Sequence, residues 1–171
     1  MELLKDFNIK KYLGKKPPSD NSFTTMQEVK ELKKTPINKN FVKEKDDIRE
    51  AFGKVVDERK FMQNLINESA PLLLKIKKHH NRSRPYELDK SLSAVKMKSM
   101  DTPSYPSGHS AQGILIGMAL SDKYPSKKTK LMKIAKDISK SRNIAHAHYK
   151  SDSKFGEQIG KDMYNHIKNK I

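Results

Sequence analysis

The chain has 171 residues, a formal net charge of +16, 35% hydrophobic and 33% charged residues, and no cysteine. That length holds one domain with a core. The lack of cysteine excludes disulfides and thiolate metal sites, and the longest apolar run, Gly113 to Leu120, is far short of the roughly 20 residues that span a bilayer.

Residues 1 to about 24 carry Pro17-Pro18 and a Ser/Asn/Asp stretch without clean periodicity, which predicts a partly flexible N-terminal arm ahead of a domain over residues 25–171. The first residues lack the basic start and long apolar stretch of a secretory signal, so the expectation is a soluble, intracellular or cytoplasmic chain without an integral membrane segment. Thr24 or Thr25 is the expected cap of a helix through Lys34, with Met26, Val29 and Leu32 on one face; Thr35-Pro36 ends it. Further helices are predicted from about Asn40 to Lys45, from Asp46 to Gly53, and from Asp57 to Glu68. Ser69-Ala70-Pro71 predicts a fresh helix start with Pro71 in its first turn, and that helix runs to Lys77.

Residues 86–103 are the least regular inner segment, a loop expected beside any site nearby, where it would help choose a substrate. Ala111 to Leu120 reads as a buried helix, Lys127 to about Arg142 as an amphipathic one, and Asp152 to Lys168 as a closing helix whose Gly156 and Gly160 permit close packing. No alternating, β-rich segment stands out. The predicted class is all-α, a single-domain helical bundle around the central helix that follows Pro106-Ser107-Gly108-His109.

Three blocks carry the chemistry. The turn Tyr105-Pro106-Ser107-Gly108-His109-Ser110 opens the central helix, so the N–H groups of Ser107, Gly108 and His109 are expected to lack intrahelical partners and to form an anion site with the helix dipole. Gly108, without a Cβ, allows close approach of a ligand oxygen. Upstream lies Lys77-x6-Arg84-Pro85; downstream lies Ser141-Arg142-x5-His148-x3-Asp152. The chain spends 31 Lys on bulk charge and has five Arg, two of which, Arg84 and Arg142, fall in these blocks, where a planar fork grips phosphate oxygens as a lysine cannot. His148 and Asp152 are spaced as on one helical turn, so the carboxylate can fix the imidazole tautomer. Arg142 and His148 are six apart, about 240° on a straight helix, so the two face one ligand only if the helix breaks within Asn143 to Ala147.

Together and in this order the three blocks resemble the signature of the type 2 phosphatidic acid phosphatase and vanadium haloperoxidase superfamily, with the closest resemblance to its soluble class A non-specific acid phosphatases. Eleven positions match: Lys77, Arg84, Pro85, Pro106, Ser107, Gly108, His109, Ser141, Arg142, His148 and Asp152. The resemblance implies an all-α fold and a metal-independent phosphoric monoester hydrolase. In it His148 is the nucleophile that forms a phosphohistidine, Asp152 orients it, and His109 protonates the leaving group. Lys77, Arg84, Ser107, Gly108 and Arg142 cradle the phosphate. Many relatives have a glycine two residues before the nucleophile, where this chain has His146. No cofactor is expected, and vanadate is expected as a phosphate-mimicking inhibitor. The partners expected are a small phosphate ester and inorganic phosphate; homo-oligomer formation is left open.

Other readings of the same residues are a lipid phosphatase at a membrane surface, a vanadate-dependent haloperoxidase, and a non-enzymatic basic protein using Lys77, Lys78, Arg82 and Arg84 on nucleic acid. The last lacks aromatics for base stacking. His146, His148 and Asp152 also have the donors for a metal. His79 and His80 lie outside the blocks and are read as solvated.

Overall fold

The computed structural model describes residues 2–171. Among the described residues it is all helical, with no strand. The helices are α1 (Lys10–Leu13), α2 (Phe23–Lys34), α3 (Lys39–Asp46), α4 (Ile48–Gly53), α5 (Arg59–His80), α6 (Pro85–Leu88), α7 (Gly108–Lys123), α8 (Lys128–Ile144) and α9 (Lys150–Ile167), with 3₁₀ turns at Lys98–Asp101 and Pro125–Lys127. None is long and apolar enough to cross a membrane.

α7 is the axis. Its residues are apolar nearly all round, as suits a helix covered on every side, and Ala111, Leu115, Ile116 and Leu120 are completely buried. α8 and α9 flank it. Three glycines set those contacts: a Cβ on Gly117 of α7 would run into Ala135 of α8, and Cβ atoms on Gly156 and Gly160 of α9 would collide with the carbonyl oxygens of Ser107 and Ala111. The stretch ahead of α2 joins the same core, with Leu3 and Leu4 buried and the Tyr12 hydroxyl 2.5 Å from Asp162.

Several local expectations are corrected. The segment 59–80 is one helix, not two, with Pro71 inside it. The ring removes one backbone hydrogen bond, but Met62 and Leu65 before it and Leu73 and Ile76 after it are buried on one face, and that continuous packing holds the two halves in line. Ser22, not Thr24 or Thr25, caps α2, its hydroxyl accepting from the Thr25 N–H at 3.2 Å. The buried face of α2 is Thr25, Val29 and Leu32, which leaves Met26 exposed. The helix expected from Asp46 starts at Ile48: Asp46 is the last residue of α3, and Asp47 caps α4 by accepting from the N–H groups of Arg49 and Glu50.

Candidate functional site

Each residue of the three blocks sits at an end of a helix. Lys77 is in the last turn of α5, which stops at Asn81 in the left-handed conformation (φ 48°). Arg84 is held extended ahead of Pro85 and α6. Ser107 caps α7, Gly108 and His109 open it, and Arg142 lies in the last turn of α8. The break needed to bring Arg142 and His148 to one side is present: α8 ends at Ile144, and His146 takes φ 56°. A non-glycine residue in that region carries roughly 1 kcal/mol or more of strain. Here both nitrogens of His146 lie 2.8 Å from carbonyl oxygens, those of Ser93 and Thr35, which hold the turn and direct this imidazole away from His148.

His148 and Asp152 do not share a helical turn as the spacing implied. His148 precedes α9, while Asp152 sits in its first turn and accepts from the Tyr149 N–H at 3.0 Å, so the pair is bridged by the helix's own cap. His148 Nδ1 is 3.1 Å from Asp152 Oδ2, and its Nε2 is 3.0 Å from Arg84 Nη1. With Nδ1–H donating to the carboxylate, Nε2 carries the lone pair. Arg84 also donates to the carbonyls of Ala147, Thr102 and Ser99, which fixes its fork.

Lys77, Gly108, His109 and His148 line one cavity of about 250 Å³, together with Ser99, Thr102 and Gln112, and with Ala70, Leu73 and Leu74 of α5. Arg84 and Arg142 both bond to Ser99 in its wall. Segment 86–103 therefore does border the site, through Ser99 and Thr102; its lysines Lys90, Lys96 and Lys98 are exposed. Of the three N–H groups expected to be free, that of Ser107 donates to the Asp152 carbonyl at 3.0 Å. Those of Gly108 and His109, in the first turn, have no intrahelical acceptor. The Ser107 hydroxyl oxygen accepts from both the N–H and the hydroxyl of Ser110, so its own proton is left to donate.

Burial sets the electrostatics. It pushes Lys77 down to about 7, helped by the Arg84 charge. His148 falls well below 6.5 through burial and then through the charges of Arg84, Lys77 and Arg142, so it is held neutral. Burial and Arg142 also lower His109, against Asp46, which favours its charged form. Asp152 is raised to about 6 by burial, opposed by Arg82, Ser104 and the Tyr149 N–H. Four buried cationic or basic side chains thus surround a small space, and an anion bound there would stabilise the charged form of each.

Three further residues touch the site without having been assigned to it. Asp46, at the end of α3, lies 3.2 Å from Arg142 Nη1 and 3.4 Å from His109 Nε2. Ser104 donates a short hydrogen bond to Asp152. Arg82, 3% exposed, donates to Asp152 Oδ1 at 2.8 Å. Asp46 meets Arg142 across 96 residues and Ser104 meets Asp152 across 48, and neither leaves a local pattern; the signal available for Arg82 was the scarcity of arginine itself. His80 is not simply solvated: its Nε2 lies 2.8 Å from the Tyr12 carbonyl and its ring packs edge-on against Tyr105.

No family model matches the chain. Over 88 residues, 49% of its length, it is 34% identical to a protein of Salmonella typhimurium (strain LT2) named non-specific acid phosphatase, and 33% identical to one of the same name from Salmonella typhi. The matched stretch covers 35% of each, so the chain spans about a third of the length of the curated relatives it matches.

Proposed function

We propose that this chain is a metal-independent phosphatase that hydrolyses phosphate monoesters through a phosphohistidine on His148. The observation that carries the reading is the orientation of that imidazole: Nδ1 faces Asp152, and Nε2 faces Arg84 among Lys77, His109 and the N-terminus of α7. The similarity to proteins named non-specific acid phosphatase supports it.

The substrate phosphoryl group takes the position where Arg84 now meets Nε2, its oxygens held by Lys77, Arg84, Arg142, the Ser107 hydroxyl and the Gly108 N–H. The Nε2 lone pair attacks phosphorus, the ester P–O bond breaks, and His109 gives its proton to the departing oxygen. Since His109 Nε2 is engaged by the Asp46 carbonyl at 2.8 Å, Nδ1 is the nitrogen that transfers the proton. Water then attacks the phosphohistidine, returns a proton to His109, and the P–N bond breaks to release phosphate. The positive charge comes from side chains, so activity should survive chelators. Vanadate, which adopts the five-coordinate shape of the transition state, should compete with substrate. Lys77, Arg82 and Arg84 are buried, which removes the surface patch that a nucleic-acid reading needs.

The test is hydrolysis of p-nitrophenyl phosphate and an alkyl phosphate by the parent chain and two variants. His148→Ala should abolish turnover and the acid-labile phosphoenzyme. His109→Ala should lose about 10²–10⁴-fold on the alkyl ester and much less on the aryl ester, whose phenolate leaves unaided. Phosphoenzyme formed by His148→Ala, or an equal deficit on both esters in His109→Ala, would overturn the assignment.

A further inference from the structure

We infer that Arg82 is a positioning residue for the His148–Asp152 pair, and that Glu28 on α2 sets how much of its charge Asp152 receives. The two oxygens of Asp152, itself completely buried, are divided between partners. Oδ2 receives His148 Nδ1, the Tyr149 N–H and the Ser104 hydroxyl, while Oδ1 receives Arg82 Nη1 at 2.8 Å. The guanidinium lies 3.9 Å from the centroid of the Tyr149 ring, which fixes its plane. Nη1 also donates to Ser151 Oγ at 2.7 Å, and Nη2 reaches Thr25 Oγ1 at 3.2 Å and Glu28 Oε2 at 3.5 Å. Glu28 in turn accepts from the Ser151 N–H and hydroxyl, both at 2.7 Å. One buried arginine is therefore shared between a carboxylate that orients the imidazole and a carboxylate on α2.

The physical consequence concerns a proton. A buried Asp152 without a cation beside it would be protonated. His148 would then lose its acceptor at Nδ1, and the tautomer with the proton on Nε2, the nitrogen that must attack, would no longer be disfavoured. The charged and titratable groups facing Asp152 are Arg82, His148, Lys77 and Arg84, the hydroxyls of Tyr105 and Tyr149, and, across Ser151, Glu28. Removing Arg82 raises the pH at which Asp152 ionises. Removing the Glu28 charge leaves Arg82 to Asp152 alone and lowers it. A residue that merely holds the fold together would not give opposite signs.

The experiment compares the parent chain with Arg82→Gln, Arg82→Lys and Glu28→Gln, using kcat and kcat/KM against pH on p-nitrophenyl phosphate, inhibition by inorganic phosphate, and long-range ¹H–¹⁵N spectra of the His148 ring. Arg82→Gln should move the acid limb of kcat/KM up by about one pH unit or more and lower kcat by up to about 10²-fold. Phosphate inhibition should stay nearly unchanged, and Arg82→Lys should recover part of the loss. Glu28→Gln should move the acid limb down. The spectra should show the proton on Nδ1 in the parent and a shift toward Nε2 in Arg82→Gln. The kinetic arms rest on the phosphatase reading; the spectra do not. No turnover by the parent chain would overturn that reading and leave the His148 tautomer to judge Arg82. Should Arg82→Gln fail to fold, the Glu28→Gln limb and spectrum still decide. Acid limbs unmoved in the folded variants, or a His148 tautomer indifferent to both substitutions, would overturn the inference.

Discussion

His109 and Asp46 meet twice: His109 Nε2 lies 2.8 Å from the Asp46 backbone carbonyl and 3.4 Å from its carboxylate. The carboxylate favours the imidazolium, while burial and Arg142 oppose it more strongly, so His109 titrates below 6.5. In the proposed mechanism His109 must be protonated to act, and that form is lost as pH rises through its titration. The basic limb of kcat/KM, which reports the free enzyme, should therefore lie below pH 6.5. Asp46→Asn removes the favourable charge and should move that limb to lower pH, modestly because Asp46 is partly exposed. A pH–rate profile checks this; an unmoved limb would show that the carboxylate does not tune His109.

Lys77 supplies a second pH-dependent outcome. Its folded-state value of about 7 lies below the ordinary 10.5. The folded chain therefore binds fewer protons than the unfolded chain between those two values, and stability rises with pH across that window. Below about 7 the full burial cost is present. Lys77→Met should raise the melting temperature, by more at pH 6 than at pH 9, each kcal/mol appearing as about 2–4 °C. Inorganic phosphate should stabilise the parent chain and fail to stabilise the variant. Thermal melts with and without phosphate at the two pH values measure both effects.

The apolar part of the cavity bears on the ester group. Ala70, Leu73 and Leu74 of α5 share the space with His109 and Gln112, so a leaving group beside His109 meets hydrocarbon. Leu74→Gln should lower kcat/KM for phenyl phosphate about tenfold relative to glycerol phosphate, the size expected for a few apolar contacts. Equal changes on both esters would place the leaving group elsewhere.

Gly160→Ala should destabilise the chain by about 1–3 kcal/mol or more, because its new methyl group meets the main-chain carbonyl of Ala111, which cannot rotate away. Gly113→Ala should cost less: its nearest neighbours are the Ile138 Cγ2 methyl at 3.2 Å and the Ala135 carbonyl oxygen at 3.4 Å, against 2.2 Å to the Ala111 carbonyl oxygen at Gly160. Urea midpoints of the two variants give the comparison.

The helical class was legible because it rests on local rules: periodicity for α5, α8 and α9, an unbroken apolar run for α7, and turn chemistry at Pro106-Ser107-Gly108; that the three blocks would share one site was implied by the resemblance. The break before His148 followed from angular arithmetic once Arg142 and His148 were required to face one ligand. Pro71 misled because a local rule for helix starts was outweighed by packing on both sides of the ring. The capping role of Asp152 and the charge sharing through Arg82 and Asp46 were not legible. The charge sharing depends on partners from distant segments, Glu28 with Ser151 across 123 residues and Asp46 with Arg142 across 96; the cap is local, but Tyr149 at its N-cap is not a residue that marks one.

The seam between α7 and α9 is made of main chain. Gly156 lets the Ser107 carbonyl approach α9, and the Ser107 N–H donates to the Asp152 carbonyl at 3.0 Å. The turn that would receive the anion and the segment that bears His148 are thus gauged against each other by backbone atoms, which every sequence possesses. Substitutions among core side chains leave that spacing alone, whereas Ser99 and Thr102 reach the cavity from a connecting segment with little regular structure. Divergence in substrate preference can accumulate in the side chains of residues 89–98, while Ser104, bonded to Asp152, stays with the inherited geometry.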